Sequence, residues 1–151
     1  MIIWIDADAA PRAIKEMVYK AARRTNSRVR LVANSYMTIP ENPLFSLTVV
    51  NSGPDEADRY IEDNVAGGDI VITADIPLAA KVVAKGCPAI NPVGIVYTEK
   101  NIGERLAARN LMADLRSAGM DTGGPAALSK KNIQDFANIM DRLITRLSKD
   151  T

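Results

Sequence analysis

The chain has 151 residues, of which 47% are hydrophobic and 25% charged, and its net charge is +1. That suffices for one domain with a real core and is too little for two comfortable ones. Histidine is absent and Cys87 is the sole cysteine. This excludes Ser-His-Asp and Cys-His catalysis, imidazole zinc sites, multi-cysteine metal centres and an intrachain disulfide. Any chemistry falls to carboxylates, lysines, arginines, hydroxyls, backbone or a bound ion.

No apolar run is long enough to span a membrane, and MIIWID reads as a strand rather than a leader. The expectation is a cytoplasmic protein with no membrane partner and an oligomeric state that the sequence leaves open. The charges are unevenly spread. Arg12, Lys15, Lys20, Arg23, Arg24, Arg28 and Arg30 fall in one stretch; Asp55, Glu56, Asp58, Glu62, Asp63, Asp69 and Asp75 fall in another. This reads either as a basic face beside an acidic pocket, suited to a polyanion, or as solvated helix faces.

In chain order, IIWID is a buried strand. PRAIKEMVYKAARRT is a helix with Pro11 at its first position and Ile14, Met17, Val18 and Ala21 at helical spacing. RVRLVAN is a second strand, residues 34–46 a loop, and LTVV a short third strand. SGPDEADRYIEDNVAGG is a compact helix whose acids Asp55 and Glu56 suit the positive end of the dipole. DIVITAD is a fourth strand, residues 76–85 a helix stopped by Gly86, and CPAIN and GIVYT short extended segments. A helix over about 101–118, a loop MDTGGPAAL, and a last helix opened by Ser129 complete the chain. The stripe Ile133, Phe136, Met140, Leu143 and Leu147 on that helix reads as core. Strands alternating with helices predict an α/β three-layer sandwich with a mainly parallel central sheet, as one domain over 1–151.

Ligand crevices of parallel sheets lie outside the carboxyl ends of the strands. Asp6 and Asp8 close the first strand and share a face if the strand persists that far. Asp75 closes the fourth strand and reads equally as a helix cap. Asp55 and Asp58 are three apart on one helix face beyond the third strand, although Asp55 taken singly reads as a first-turn acid. Asp69 starts its strand, at the wrong end of the sheet. Carboxylates gathered in one place repel, and a divalent cation relieves that repulsion. Mg²⁺ or Mn²⁺ suits oxygen ligands and can activate water beside a phosphoryl group.

Two enzyme readings follow. A haloacid-dehalogenase-like phosphatase would use Asp6 and Asp8 as nucleophile and acid, but Ala10 stands where that pattern has Thr or Val, and no convincing later lysine motif follows. A PIN-type nuclease has a first-strand Asp, a mid-chain helical acid and an Asp after V-I-T-x-D, which Asp6, Asp58 and Asp75 match in order. WIDADAAP, GPDEADRYI, GDIVITADIPLAA, AINPVGIVYT and TGGP resemble the bacterial YaiI/YqxD family over nearly the whole chain. That resemblance implies a PIN-like (Rossmann-like) fold. By fold analogy it implies catalytic and metal-ligand roles for Asp6, Asp58 and Asp75, with Asp8 and Asp55 as auxiliary ligands. Family members often read D-A-D-A-C-P; Ala10 stands at that cysteine, so no thiol role applies there.

Arg12 is the leading candidate for a substrate phosphate or an acid partner. Thr122, Gly123 and Gly124 can offer backbone N–H groups to a phosphate or form only a tight loop. Arg105 and Arg109, one helical turn apart, can hold a phosphate or pair with Glu104, Asp114 or other acids, and pairing is the favoured reading. The expected function is metal-dependent hydrolysis of phosphodiesters, with RNA as the partner polymer. The alternative is a non-catalytic nucleic-acid-binding module that uses the stretch from Arg12 to Arg30.

Overall fold

A computed structural model describes residues 1–53, 55–119 and 128–149. The strands are β1 (Ile2–Asp6), β2 (Arg28–Ala33), β3 (Phe45–Val49), β4 (Ile70–Ile72), β5 (Ala89–Asn91) and β6 (Ile95–Tyr97). The helices are α1 (Arg12–Thr25), α2 (Glu56–Asn64), α3 (Ile76–Ala84), α4 (Ile102–Ser117) and α5 (Lys130–Lys149). The six strands form one sheet in the order β3-β2-β1-β4-β5-β6. All pairings are parallel except β5 with β6.

Alternation along β1 builds both faces of the sheet at once. Ile3 and Ile5 point into one core with α1 and α5, where Ile14, Val18, Phe136, Met140 and Ile144 are buried. Trp4 points into the other, with Ile61 of α2 and Leu78, Val82 and Val83 of α3. The sheet is therefore covered on both sides, as a central parallel sheet requires. The helix α4 leans on α3 and buries no residue fully. Among the described residues no helix is long and apolar enough to cross a membrane.

Local chemistry sets the element boundaries. Pro11 is extended (φ −60, ψ 152) and stands just before α1 instead of inside it. At the start of α5 the Ser129 hydroxyl accepts from Asn132 N–H, while Asn132 Oδ1 accepts from Ser129 N–H at 3.0 Å, a reciprocal cap. Strand β3 begins at Phe45, two residues earlier than the apolar run LTVV suggests, because Phe45 is buried beside Tyr19. Strand β4 ends at Ile72, so Thr73 to Asp75 form its exit rather than its end.

Strands β1, β2 and β3 step outward on one side. The chain then returns through α2 to place β4 on the opposite side of β1. The order of the sheet thus reverses between β1 and β4, and their carboxyl ends bound a crevice with no strand crossing above it.

Candidate functional site

Five aspartates reach that crevice. Asp6 ends β1 and is only 7% exposed. Its Oδ2 accepts the Thr73 hydroxyl at 3.0 Å, and Thr73 Oγ1 in turn accepts the Asp75 backbone N–H at 3.0 Å. Thr73 therefore ties the exit of β4 to the end of β1. Asp75 does two things: it caps α3, with Oδ1 accepting Leu78 N–H at 2.9 Å, and it meets the Asp58 carboxyl at hydrogen-bond range. Asp55 precedes α2 in a left-handed conformation (φ 66) with no cap hydrogen bond, and lines the crevice beside Asp58.

Asp8 does not share a strand face with Asp6. The strand stops at Asp6 and residues 7–9 turn, so the exposed Asp8 side chain folds back to accept Asn34 N–H through Oδ2 at 2.7 Å. It still lines the crevice, now from a turn.

The electrostatics follow from this crowding. Burial raises the pKa of Asp6; the Thr73 hydrogen bond opposes this, and the charges of Asp75 and Asp8 add to it. Asp58 is pushed up to about 7 by burial first, then by its hydrogen bond to Asp75 and by the charges of Asp75, Asp6 and Asp55. The cations nearby are bound elsewhere: Arg59 pairs with Glu56 at 3.6 Å and Lys81 with Glu62 at 3.6 Å. None of Asp6, Asp58 and Asp75 has an ion pair among the described residues.

Burial and the neighbouring acids disfavour the charged form of Asp58, a penalty that a cation would relieve. The donor set, hard carboxylate oxygens with no basic partner, fits Mg²⁺ or Mn²⁺. Among the described residues no three ligating side chains already stand as a closed set.

The raised pKa of Asp58 has a measurable consequence. Asp58 ionises near its ordinary 3.8 when unfolded and at about 7 when folded, so folding takes up a proton between those values and stability falls as pH rises through the window. Asp58→Asn removes this cost. In chelator, the variant is expected to match the parent near about pH 4 and to exceed it near about pH 8 by about 1 kcal/mol, after allowance for solvent screening of a half-exposed group. That corresponds to about 3 °C in paired thermal melts.

The remaining candidates separate. Arg109 lines the acidic hollow, and its side-chain hydrogen bond goes to its neighbour Asn110 at 3.3 Å. Arg105 lines neither hollow at the crevice, and neither arginine pairs with Glu104 or Asp114. Arg12 is exposed, lines neither hollow and pairs with no acid among the described residues. Thr122, Gly123 and Gly124 lie outside the described residues.

The basic stretch does not stand beside the acids. Arg23 and Arg24 end α1, and Arg28 and Arg30 lie in the first half of β2, at the opposite edge of the sheet. There Arg23 lies over the Phe45 ring, Arg30 over the Trp4 ring, and Arg24 bonds Asp141. Asp69 sits at that lower edge too, accepting from Ile2 N–H, Trp4 Nε1–H and Ala66 N–H. Cys87 is buried with its thiol pKa raised by that burial, a small core residue.

Sequence reasoning missed Thr73 and Lys81. The signal for Thr73 was a hydroxyl two residues before a capping acid; for Lys81 it was the i,i+3 step from Leu78, which puts both on one side of α3.

A profile of the family described as "Uncharacterized BCR, YaiI/YqxD family" matches residues 4–146. A UPF0178 protein of Syntrophotalea carbinolica is 53% identical over 146 residues, covering 97% of this chain and 99% of that one. A UPF0178 protein of Trichlorobacter lovleyi is 51% identical over 150 residues, 99% and 97% of the two chains. A UPF0178 protein of Legionella pneumophila (strain Corby) is 49% identical over 146 residues, 97% and 99% of the two chains. No solved structure matches.

Proposed function

The chain belongs to the bacterial YaiI/YqxD family over almost its whole length, and we propose that it is a metal-dependent hydrolase of phosphodiester bonds in RNA, on a PIN-like fold. The observation that carries this reading is the convergence of Asp6, Asp58 and Asp75, from three different elements and coupled through their charges, near the reversal point of the sheet, with no ion pair to them among the described residues. Their residue types and order match the PIN-type pattern, by fold-level analogy.

Asp6, Asp58 and Asp75 would hold Mg²⁺ or Mn²⁺, with Asp8 and Asp55 alongside. Such an ion supplies an activated water at neutral pH and neutralises charge building on the phosphoryl oxygens. The chain's own part is positional. Thr73 fixes the Asp6 carboxylate through Oδ2 and, among the described residues, no side chain bonds Oδ1, while the N-terminus of α3 holds one oxygen of Asp75. Two acids are thereby oriented before any ion arrives. The lone buried Cys87 supports a reducing, cytoplasmic setting.

The phosphatase alternative asks Asp6 to be a nucleophile, a poor role for a carboxylate that is 7% exposed and bonded to Thr73. The binding-module alternative leaned on the stretch from Arg12 to Arg30, whose distal arginines stand at the other edge of the sheet. Purified protein incubated with single-stranded RNA and DNA is expected to cleave RNA in Mg²⁺ or Mn²⁺ and to be silent in chelator. No cleavage of either polymer with either metal defeats the proposal.

A further inference from the structure

Asp55 and Asp58 stand on a ridge between two hollows. One, about 220 Å³, is completed by Asp6, Asp8, Ala9, Asn34, Gly53 and Ala57 and contains no cation. The other, about 300 Å³, runs past Asp75, Pro77 and Leu78 to Arg59, Lys81 and Arg109. Among the described residues the acidic centre is thus one-sided: the positive charge that borders it comes from α2, α3 and α4.

We propose that this second hollow is the phosphate-binding half of a single-stranded RNA site. Arg109, supported by Lys81, holds the phosphate adjoining the one to be cleaved, so that the strand runs from the acids toward α4. The inference rests on the phosphodiesterase reading above and adds to it the substrate's course and the side chain that sets it.

Three observations carry it. Arg109 shares the hollow with Asp55, Asp58, Glu62 and Asp75, yet makes no ion pair among the described residues. Beyond the 3.3 Å bond from Nη1 to Asn110 its planar fork keeps donors for a ligand, and phosphate is the ligand whose geometry matches. Among the described residues Lys81 is held by the 3.6 Å contact to Glu62 between half-exposed groups, a pair weak enough to be released to a stronger anion. Among the described residues no aromatic ring lines either hollow, so contacts fall on the backbone and not on stacked bases. A cleft of this volume is at the small end for ligand sites and takes one strand rather than a duplex. The position of α4 also becomes intelligible. It buries no residue fully, but it carries Arg109 to the edge of the acidic hollow.

The test compares Arg109→Ala with Arg105→Ala, an equal loss of charge from an exposed arginine one helical turn earlier on α4 that lines neither hollow. Binding of a short fluorescein-labelled, 2′-O-methylated single-stranded RNA is followed by anisotropy across a salt series, and Mn²⁺ uptake by calorimetry. R109A is expected to weaken RNA binding about tenfold and to lower the salt-dependence slope by about one, while R105A stays near the parent. Mn²⁺ uptake is expected to be unchanged in both. The subsite is overturned if R109A and R105A behave alike, or if the parent binds no RNA. If Mn²⁺ binds and RNA affinity ignores Arg109, the subsite fails and the metal centre stands. If R109A weakens RNA binding but no Mn²⁺ is taken up, the subsite stands and the metal-dependent reading fails.

Discussion

Asp6→Asn is expected to lower metal-dependent RNA cleavage by roughly three orders of magnitude, equivalent to about 4 kcal/mol of lost transition-state stabilisation. Asp6 is the hub of the cluster. It lies at the end of the central strand, accepts the hydroxyl that positions the Asp75 segment, and contributes to the raised pKa of Asp58. Asparagine keeps an oxygen for Thr73 and has nearly the same volume, so the fold has no reason to change. It cannot supply an anionic oxygen to a cation. Single-turnover cleavage in saturating Mn²⁺, alongside a thermal melt, separates these effects. A variant that melts like the parent and cuts like the parent removes Asp6 from the chemistry.

Asp69→Ala should show the opposite profile, a large loss of stability at a position far from the site. The Asp69 carboxylate is 5% exposed and accepts three N–H groups: Ile2 at 2.9 Å, Trp4 Nε1 at 3.0 Å and Ala66 at 3.0 Å. Trp4 is fully buried, so its indole N–H has nowhere else to turn. Truncation leaves these donors without acceptors, at a cost of about 4 kcal/mol. That is a large fraction of ordinary domain stability and lowers the melting temperature by about 10 °C. Urea unfolding at neutral pH measures it, and a change below about 1 kcal/mol would show that water or a rearranged neighbour replaces the carboxylate.

The contrast between the two aspartates shows what the sequence could reveal. Asp69 opens its strand and Asp6 closes one, and in a parallel sheet those positions fall at opposite edges. Position along a strand was therefore enough to separate a structural acid from a crevice acid. Period-two alternation in IIWID and the three-four stripe of α5 made the two cores legible for the same reason: each depends only on local geometry.

What stayed hidden depends on tertiary placement. Asp8 needed the strand to continue for one more residue pair, but β1 ends at Asp6 and a turn begins. Asp75 had been open to either a cap or a crevice role; it does both, because one carboxylate oxygen faces α3 while the group also reaches Asp58. Arg105 and Arg109 are indistinguishable by periodicity. Only how far α4 lies along α3 decides that Arg109 alone reaches the hollow. The cationic run from Arg12 to Arg30 looked like a partner for the acids, but α1 runs back down the sheet and carries its last arginines to the far edge.

The central claim is that Asp6, Asp58 and Asp75 share a divalent ion. Crystals of the protein soaked in Mn²⁺ at neutral pH, with diffraction recorded at the manganese edge, test this directly. The account predicts an anomalous peak bounded by the Asp6, Asp58 and Asp75 carboxylates, and its loss in Asp6→Asn. Saturating Mn²⁺ that leaves the three acids without a peak would contradict it.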